Sequence, residues 1–240
     1  MQYLNLLYKD AYKINDSISI MIPKVKDIIE HEAEYYSLVS TLTAMPIDLM
    51  VELDDAGIDF TSISEYELFL LMFSGVSKSE SSYLIFGELD LSKFRLAESS
   101  NNNEPVLIDT ENDIVIDKLI YYEISNVLRK IHNIKKDIRK PGNNEAKKFL
   151  LERARAKKNK NRNRHTDSQL ESLIVAMVNT EQYKYNYEST KELTIYQFNE
   201  CVQQIIKKID YSNKMYGVYT GSINVKDLKK DDLNWLSHKQ

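Results

Sequence analysis

Two hundred and forty residues carry 32 Lys/Arg against 36 Asp/Glu, a formal charge of −4, with 42% hydrophobic and 28% charged residues. That length holds one large domain or two small ones, and that apolar fraction builds a core, so the chain as a whole is not a disordered one. Six glycines and four prolines exclude a collagen-like repeat and argue against a loop-rich β-sandwich, and the single Cys201 excludes an intramolecular disulfide and a cysteine-based zinc site.

Met1–Asp10 has no basic n-region and its apolar run is broken by Asn5 and Lys9, so no signal peptide is expected. No stretch approaches 18 apolar residues, so no membrane span is expected either, and the expected setting is a reducing cytoplasm. Val25, Ile28, Ile29, Tyr36 and Val39 set a helical spacing that runs to about Met45. Pro46 marks the start of a second helix, with Gly57 as its stop. Ser62-Ile-Ser-Glu65 reads as a capping box ahead of the apolar run Phe69–Phe73. The period then changes. Leu89, Leu91, Phe94 and Leu96, then Val106–Ile108 and Ile114–Ile116, separated by Asn/Asp-rich turns, predict a small antiparallel meander of two or three strands that must lean on the helices. Leu119, Tyr122, Ile124, Val127, Leu128 and Ile131 resume helical spacing, with the helix expected to end near Pro141-Gly142.

Farther on, Leu170, Leu173, Ile174, Met177 and Val178 form an amphipathic stripe behind an Asp167/Ser168 cap. Thr194-Ile-Tyr-Gln197 is a second capping-box string, and Ile195, Phe198, Val202, Ile205, Ile206 and Ile209 continue one stripe from it. The tail holds Leu228, Leu233, Trp235 and Leu236, read as a short helix that packs its tryptophan back. The expected fold class is α+β and predominantly helical: an N-terminal α+β unit over 1–146, a basic helix or linker over 147–166, and a C-terminal helical unit over 167–240.

The charge is unevenly spread. Residues 147–164 hold nine Lys/Arg and one acid, a net of +8, which leaves −12 on the rest. Three readings fit Arg153, Arg155, Lys157, Lys158, Lys160, Arg162 and Arg164: a solvated helix running into a linker, a contact with an acidic partner, or a contact with nucleic acid. Nucleic acid ranks last, because no aromatic residue lies among the cations of 153–164 and the acidic remainder repels phosphate.

No phosphate-binding glycine string, Walker sequence or His-Glu-x-x-His occurs, and Gly217–Ser222 reads as a tight turn. His31, His132, His165 and His238 lack ligand spacing. Asp54-Asp55 and Asp231-Asp232 read as cap and surface carboxylates on different faces, and Cys201 as an inert packing thiol. No catalytic activity, metal or cofactor is expected. Tyr183, Tyr185 and Tyr187 form the most unusual local cluster, either a docking edge or a cover over the C-terminal helices. Trp235 is either an interface anchor or a ring packed on Phe198, Val202 and Ile205.

Asn179–Glu188, Leu193–Asn199, the Gly217…Gly221 turn and Leu233-Asn-Trp-Leu236 resemble a family encoded among the tail genes of tailed phages of Gram-positive bacteria. Leu89–Phe94, Glu111–Asp117 and the Lys/Arg-rich helix near 147–158 are similar in order and place, so the resemblance spans roughly 45–236. It implies a tail-module protein, in the baseplate or hub region or as an assembly factor. Its implied partners are other tail proteins or further copies; the aromatic character of Tyr183, Tyr185, Tyr187 and Trp235 makes them the residues expected at the contact. Its implied location is the host cytoplasm during assembly, or the virion. The alternative is a nucleic-acid-associated regulator that uses residues 147–164.

Overall fold

The computed structural model describes residues 5–99, 103–161 and 168–236. An antiparallel hairpin opens it, β1 (Ala11–Lys13) and β2 (Ser19–Met21), which the sequence reading did not foresee because both strands are only three residues long. The expected helix from Val25 is two, α1 (Val25–Ile29) and α2 (Glu32–Thr43), broken at Glu30-His31. Pro46 lies in a turn closed by the Met45 N–H donating to the Asp48 carboxylate, so α3 starts later, at Met50–Asp55, and stops before Gly57 in the left-handed region (φ +73). α4 (Glu65–Ser77) is capped by Ser64 and Glu67, two residues beyond the expected box. A short α5 (Tyr83–Phe86) leads to the expected meander, β3 (Arg95–Glu98), β4 (Pro105–Asp109) and β5 (Ile114–Ile116), all antiparallel in sequence order. α6 (Lys118–Ile131) ends well before Pro141: Asn133 takes the left-handed conformation (φ 53), and the Ile134 N–H closes back on the Arg129 carbonyl at 2.9 Å. α7 (Asn144–Asn161), α8 (Gln169–Val178), α9 (Tyr187–Lys191) and α10 (Ile195–Tyr219) complete ten helices among the described residues. The fold is α+β and predominantly helical.

One main core joins elements from both ends of the chain. Tyr35, Leu38 and Leu42 of α2 meet Ile124, Val127, Leu128 and Ile131 of α6, with Phe69 of α4 stacked on Tyr121 at 4.5 Å between ring centres. Ile20 from the hairpin, Leu170 and Ile174 from α8, and Ile195 and Phe198 from α10 close the same core. Backbone bonds strap the ends together: the Val25 N–H donates to the Leu193 carbonyl (2.9 Å) and the Ile195 N–H to the Pro23 carbonyl (2.8 Å). Lys24 and Lys26 both pair with Glu192, whose carboxyl they hold down to about 2. Glu32 of α2 caps α8 from a distance by accepting the Gln169 and Leu170 N–H groups at 3.0 and 2.9 Å. A smaller apolar cluster, Ala44, Ile47, Leu53, Phe60 and Leu68, takes in Leu151 of α7.

This shared core bears on proteolysis. Trypsin is expected to cut first at the exposed cations Arg153, Lys157 and Lys160. The two fragments should then elute together at native size, because α8 and α10 are buried against α2 and α6. Fragments that separate without denaturant would show that this packing is weaker than its burial implies.

Candidate functional site

Among the described residues no group of three His, Cys, Asp or Glu is placed to hold a metal ion, and no helix is long and apolar enough to cross a membrane. An open groove of about 310 Å³ lies between the turns at 45–47 and 60–65 and the segment 136–141, walled by Ile47, Phe60 and Tyr122. Its carboxylates are already matched, since Glu65 pairs with Lys136 and Arg129 and Asp137 pairs with Arg139. Cys201 is half-buried, and burial pushes its thiol up, away from reactivity.

One exposed apolar surface is the free part of α10. Thr194 caps it by accepting the Gln197 N–H, and Gln197 returns a bond to the Thr194 N–H, the box that the sequence predicts. Ile195, Phe198 and Val202 bury the first two turns in the core. The helix then runs on for about 25 Å as an arm from Gln203 to Tyr219. Ile195, Phe198, Val202, Ile206, Ile209, Asn213 and Tyr216 fall within an arc of about 80° of the helix circumference, so the core-facing stripe continues past the core. There it is bare: Ile206 is 55% exposed, Tyr216 73% and the neighbouring Tyr219 85%. The sequence predicts the stripe as far as Ile209, with Ile205 in it; its continuation to Tyr216 and its extension beyond the elements that cover it come from the structure.

The tail covers a different side of the arm. After a turn at Gly221 (φ +75), the Ile223 N–H donates to the Gly217 carbonyl at 2.9 Å. A Cβ on Gly217 would sit 2.6 Å from Ile223 Cδ1, so any larger residue there would have to displace the Ile223 side chain. Lys214 holds Asp232 at 2.8 Å, and Gln204 donates to the Trp235 carbonyl at 3.0 Å. Trp235, half-buried, rests under the Lys208 ammonium 5.5 Å from its ring centre. The expected short tail helix is a pair of 3₁₀ turns, Val225–Asp227 and Lys230–Leu233.

The tyrosine cluster divides. Tyr183 is 7% exposed, its hydroxyl 3.0 Å from Thr190 Oγ1 and its ring edge-on to Phe198, so it belongs to the core. Tyr185 leans on the Tyr183 ring and Tyr187, half-exposed, opens α9. In a strand the three would share a face; here a coil turning into a helix sends them apart. Only Tyr185 and Tyr187 are available to a partner.

The basic segment is a helix with an occupied side. Arg155 reaches both Asp54 (2.7 Å) and Asp55 (2.6 Å), Lys158 reaches Glu52 (2.7 Å) and Lys147 reaches Asp59 (2.7 Å), around the buried Leu151. Lys147, with the Thr61 donors, holds the Asp59 carboxyl down to about 2. The acidic surface that this helix meets is therefore on its own chain, and Asp54 and Asp55 converge on one guanidinium instead of pointing to different faces. The excess of acid outside 147–164 was the available signal. Arg153, Lys157 and Lys160 are exposed and make no ion pair among the described residues. Arg162 and Arg164 lie outside the described residues.

Residues 157–240 match the model of the family described as YomV second domain, a phage-derived family of Bacillus prophage type. No curated protein and no solved structure matches the chain. The matched segment takes in α8, α9, the whole arm and the tail folded on it, about a third of the chain.

Proposed function

We propose that the protein is a non-enzymatic bacteriophage tail-module protein, a baseplate or hub component or an assembly factor, that works through protein–protein contacts. The likeness of residues 157–240 to a phage-derived family supports the phage setting. One observation carries the contact role: the matched segment projects a helix whose apolar stripe leaves the core uncovered at Ile206, Ile209 and Tyr216. Exposed apolar stripes of this kind mark interaction sites, and large aromatic side chains anchor them disproportionately.

The test is a pair of variants in a phage that carries this gene, Ile206→Glu with Tyr216→Glu, and Tyr185→Ser with Tyr187→Ser. Each replaces exposed side chains, so thermal unfolding should move by no more than about 0.5 kcal/mol per site. Loss of a central anchor costs about 2 kcal/mol of binding, roughly thirtyfold, so infectious particles should fall by at least that factor with the arm variant. Full assembly by both variants would remove the contact role. Mass spectrometry of purified particles then separates a component, which is retained, from an assembly factor, which is not.

A further inference from the structure

α7 has two cationic sides and only one is occupied. Lys147, Leu151, Arg155 and Lys158 lie within an arc of about 80° and face α3 and the turn at Asp59. Phe149, Arg153, Lys157 and Lys160 lie within a similar arc on the opposite side of the helix. The inner side shows which chemistry such a pattern holds. Three cations spaced by one and two turns grip the carboxylates of Glu52, Asp54, Asp55 and Asp59, with one leucine sealing the centre. The outer side repeats the composition, three cations and one large apolar residue, and among the described residues it has no carboxylate partner. Phe149 there is 63% exposed.

We propose that the outer side of α7 docks an acidic protein segment, one that presents spaced carboxylates beside an apolar side chain. This goes beyond the tail reading and does not depend on it. Charge complementarity selects an anion, and Phe149 selects protein over nucleic acid: its exposed ring needs apolar surface, which a duplex backbone does not provide, and three cations would neutralise only about three phosphates.

The experiment uses the full chain and a fluorescein-labelled peptide with the sequence of residues 46–60, the carboxylate-bearing segment that α7 already recognises, with a short DNA duplex as comparison. Fluorescence anisotropy at about 0.15 M salt should show saturable binding of the peptide, tighter than that of the duplex. The variant Arg153→Glu/Lys157→Glu/Lys160→Glu, with an unchanged circular dichroism spectrum, should bind the peptide at least about tenfold more weakly, and Phe149→Ser about threefold more weakly. Arg155→Ala should leave peptide affinity within about twofold. Four results would overturn the proposal: no saturable binding, equal binding by the triple variant, loss with Arg155→Ala instead (the peptide then merely replaces α3), or tighter binding of the duplex.

Discussion

Arg129→Ala is expected to lower the free energy of unfolding by about 3–5 kcal/mol, the usual cost of breaking a buried ion pair from one side. Arg129 sits on α6 with its side chain 7% exposed; its Nη2 donates to the Thr43 carbonyl at 2.7 Å and to Glu65 Oε2 at 3.2 Å. One guanidinium thus ties the end of α2 and the start of α4 to α6. Without it the Thr43 carbonyl loses its donor, and Glu65, equally buried, keeps Lys136 as its ionic partner. The Nε and Nη1 of Arg129 bond to nothing among the described residues, so its desolvation is only partly offset. The double replacement Arg129→Met with Glu65→Gln should therefore recover part of the loss, about 1–2 kcal/mol, and retain the cost of the Thr43 carbonyl. Urea denaturation of both variants decides the matter. A single-variant loss under about 1 kcal/mol would mean that solvent reaches the pair.

Acidification should destabilise the protein well above the range in which carboxylates titrate. His132 follows α6, its ring against those of Tyr35 and Tyr36, with Nε2 3.0 Å from the Tyr35 hydroxyl. Burial pulls its pKa down to about 4. The unfolded chain takes up this proton near pH 6.5, so between there and about pH 4 the unfolded state binds more protons than the folded one and stability falls as pH falls. The full shift corresponds to about 3 kcal/mol. Asp59, Asp137 and Glu192, each held down to about 2, weaken the fold at lower pH, as they protonate in the unfolded chain. His132→Gln keeps an acceptor for Tyr35 and cannot titrate. Denaturation at pH 7 and at pH 4.5 should cost the parent about 2–3 kcal/mol more than this variant. An equal cost would place a charged imidazole inside the fold.

Local signals were legible wherever one interaction decided them. Thr194 and Gln197 stand alone before an apolar run, and the box forms there. Ser62 and Ser64 each have a glutamate three residues on; the string does not say which pair wins, and Ser62 instead donates to the Asp59 carbonyl in a turn. The end of α6 was written at Asn133, a residue that tolerates the left-handed region, while the more conspicuous Pro141-Gly142 drew attention away from it. The contact surfaces were harder to read, because each depends on what lies opposite. Tyr183 and Tyr187 are the same residue type in the same short string, yet one is core and the other surface. Ile206 and Val202 continue one stripe, and the position of the neighbouring elements, α6 among them, determines where burial stops.

The strap between residues 23–26 and 192–195 also sets an order of events during synthesis. Ile195, Phe198 and Val202 share one core with Leu6 and the elements that follow it, so a ribosome-bound chain cannot close its body until residue 202 has emerged. At bacterial elongation rates of about 20 residues per second, that leaves roughly 10 s in which Ile20, Ile28 and Tyr35 have no C-terminal cover. Nascent chains in that interval present the apolar surface that chaperones bind and that drives aggregation at high expression. The same arithmetic makes any truncation before Ile195 a folding lesion, however far it lies from the surfaces that meet a partner.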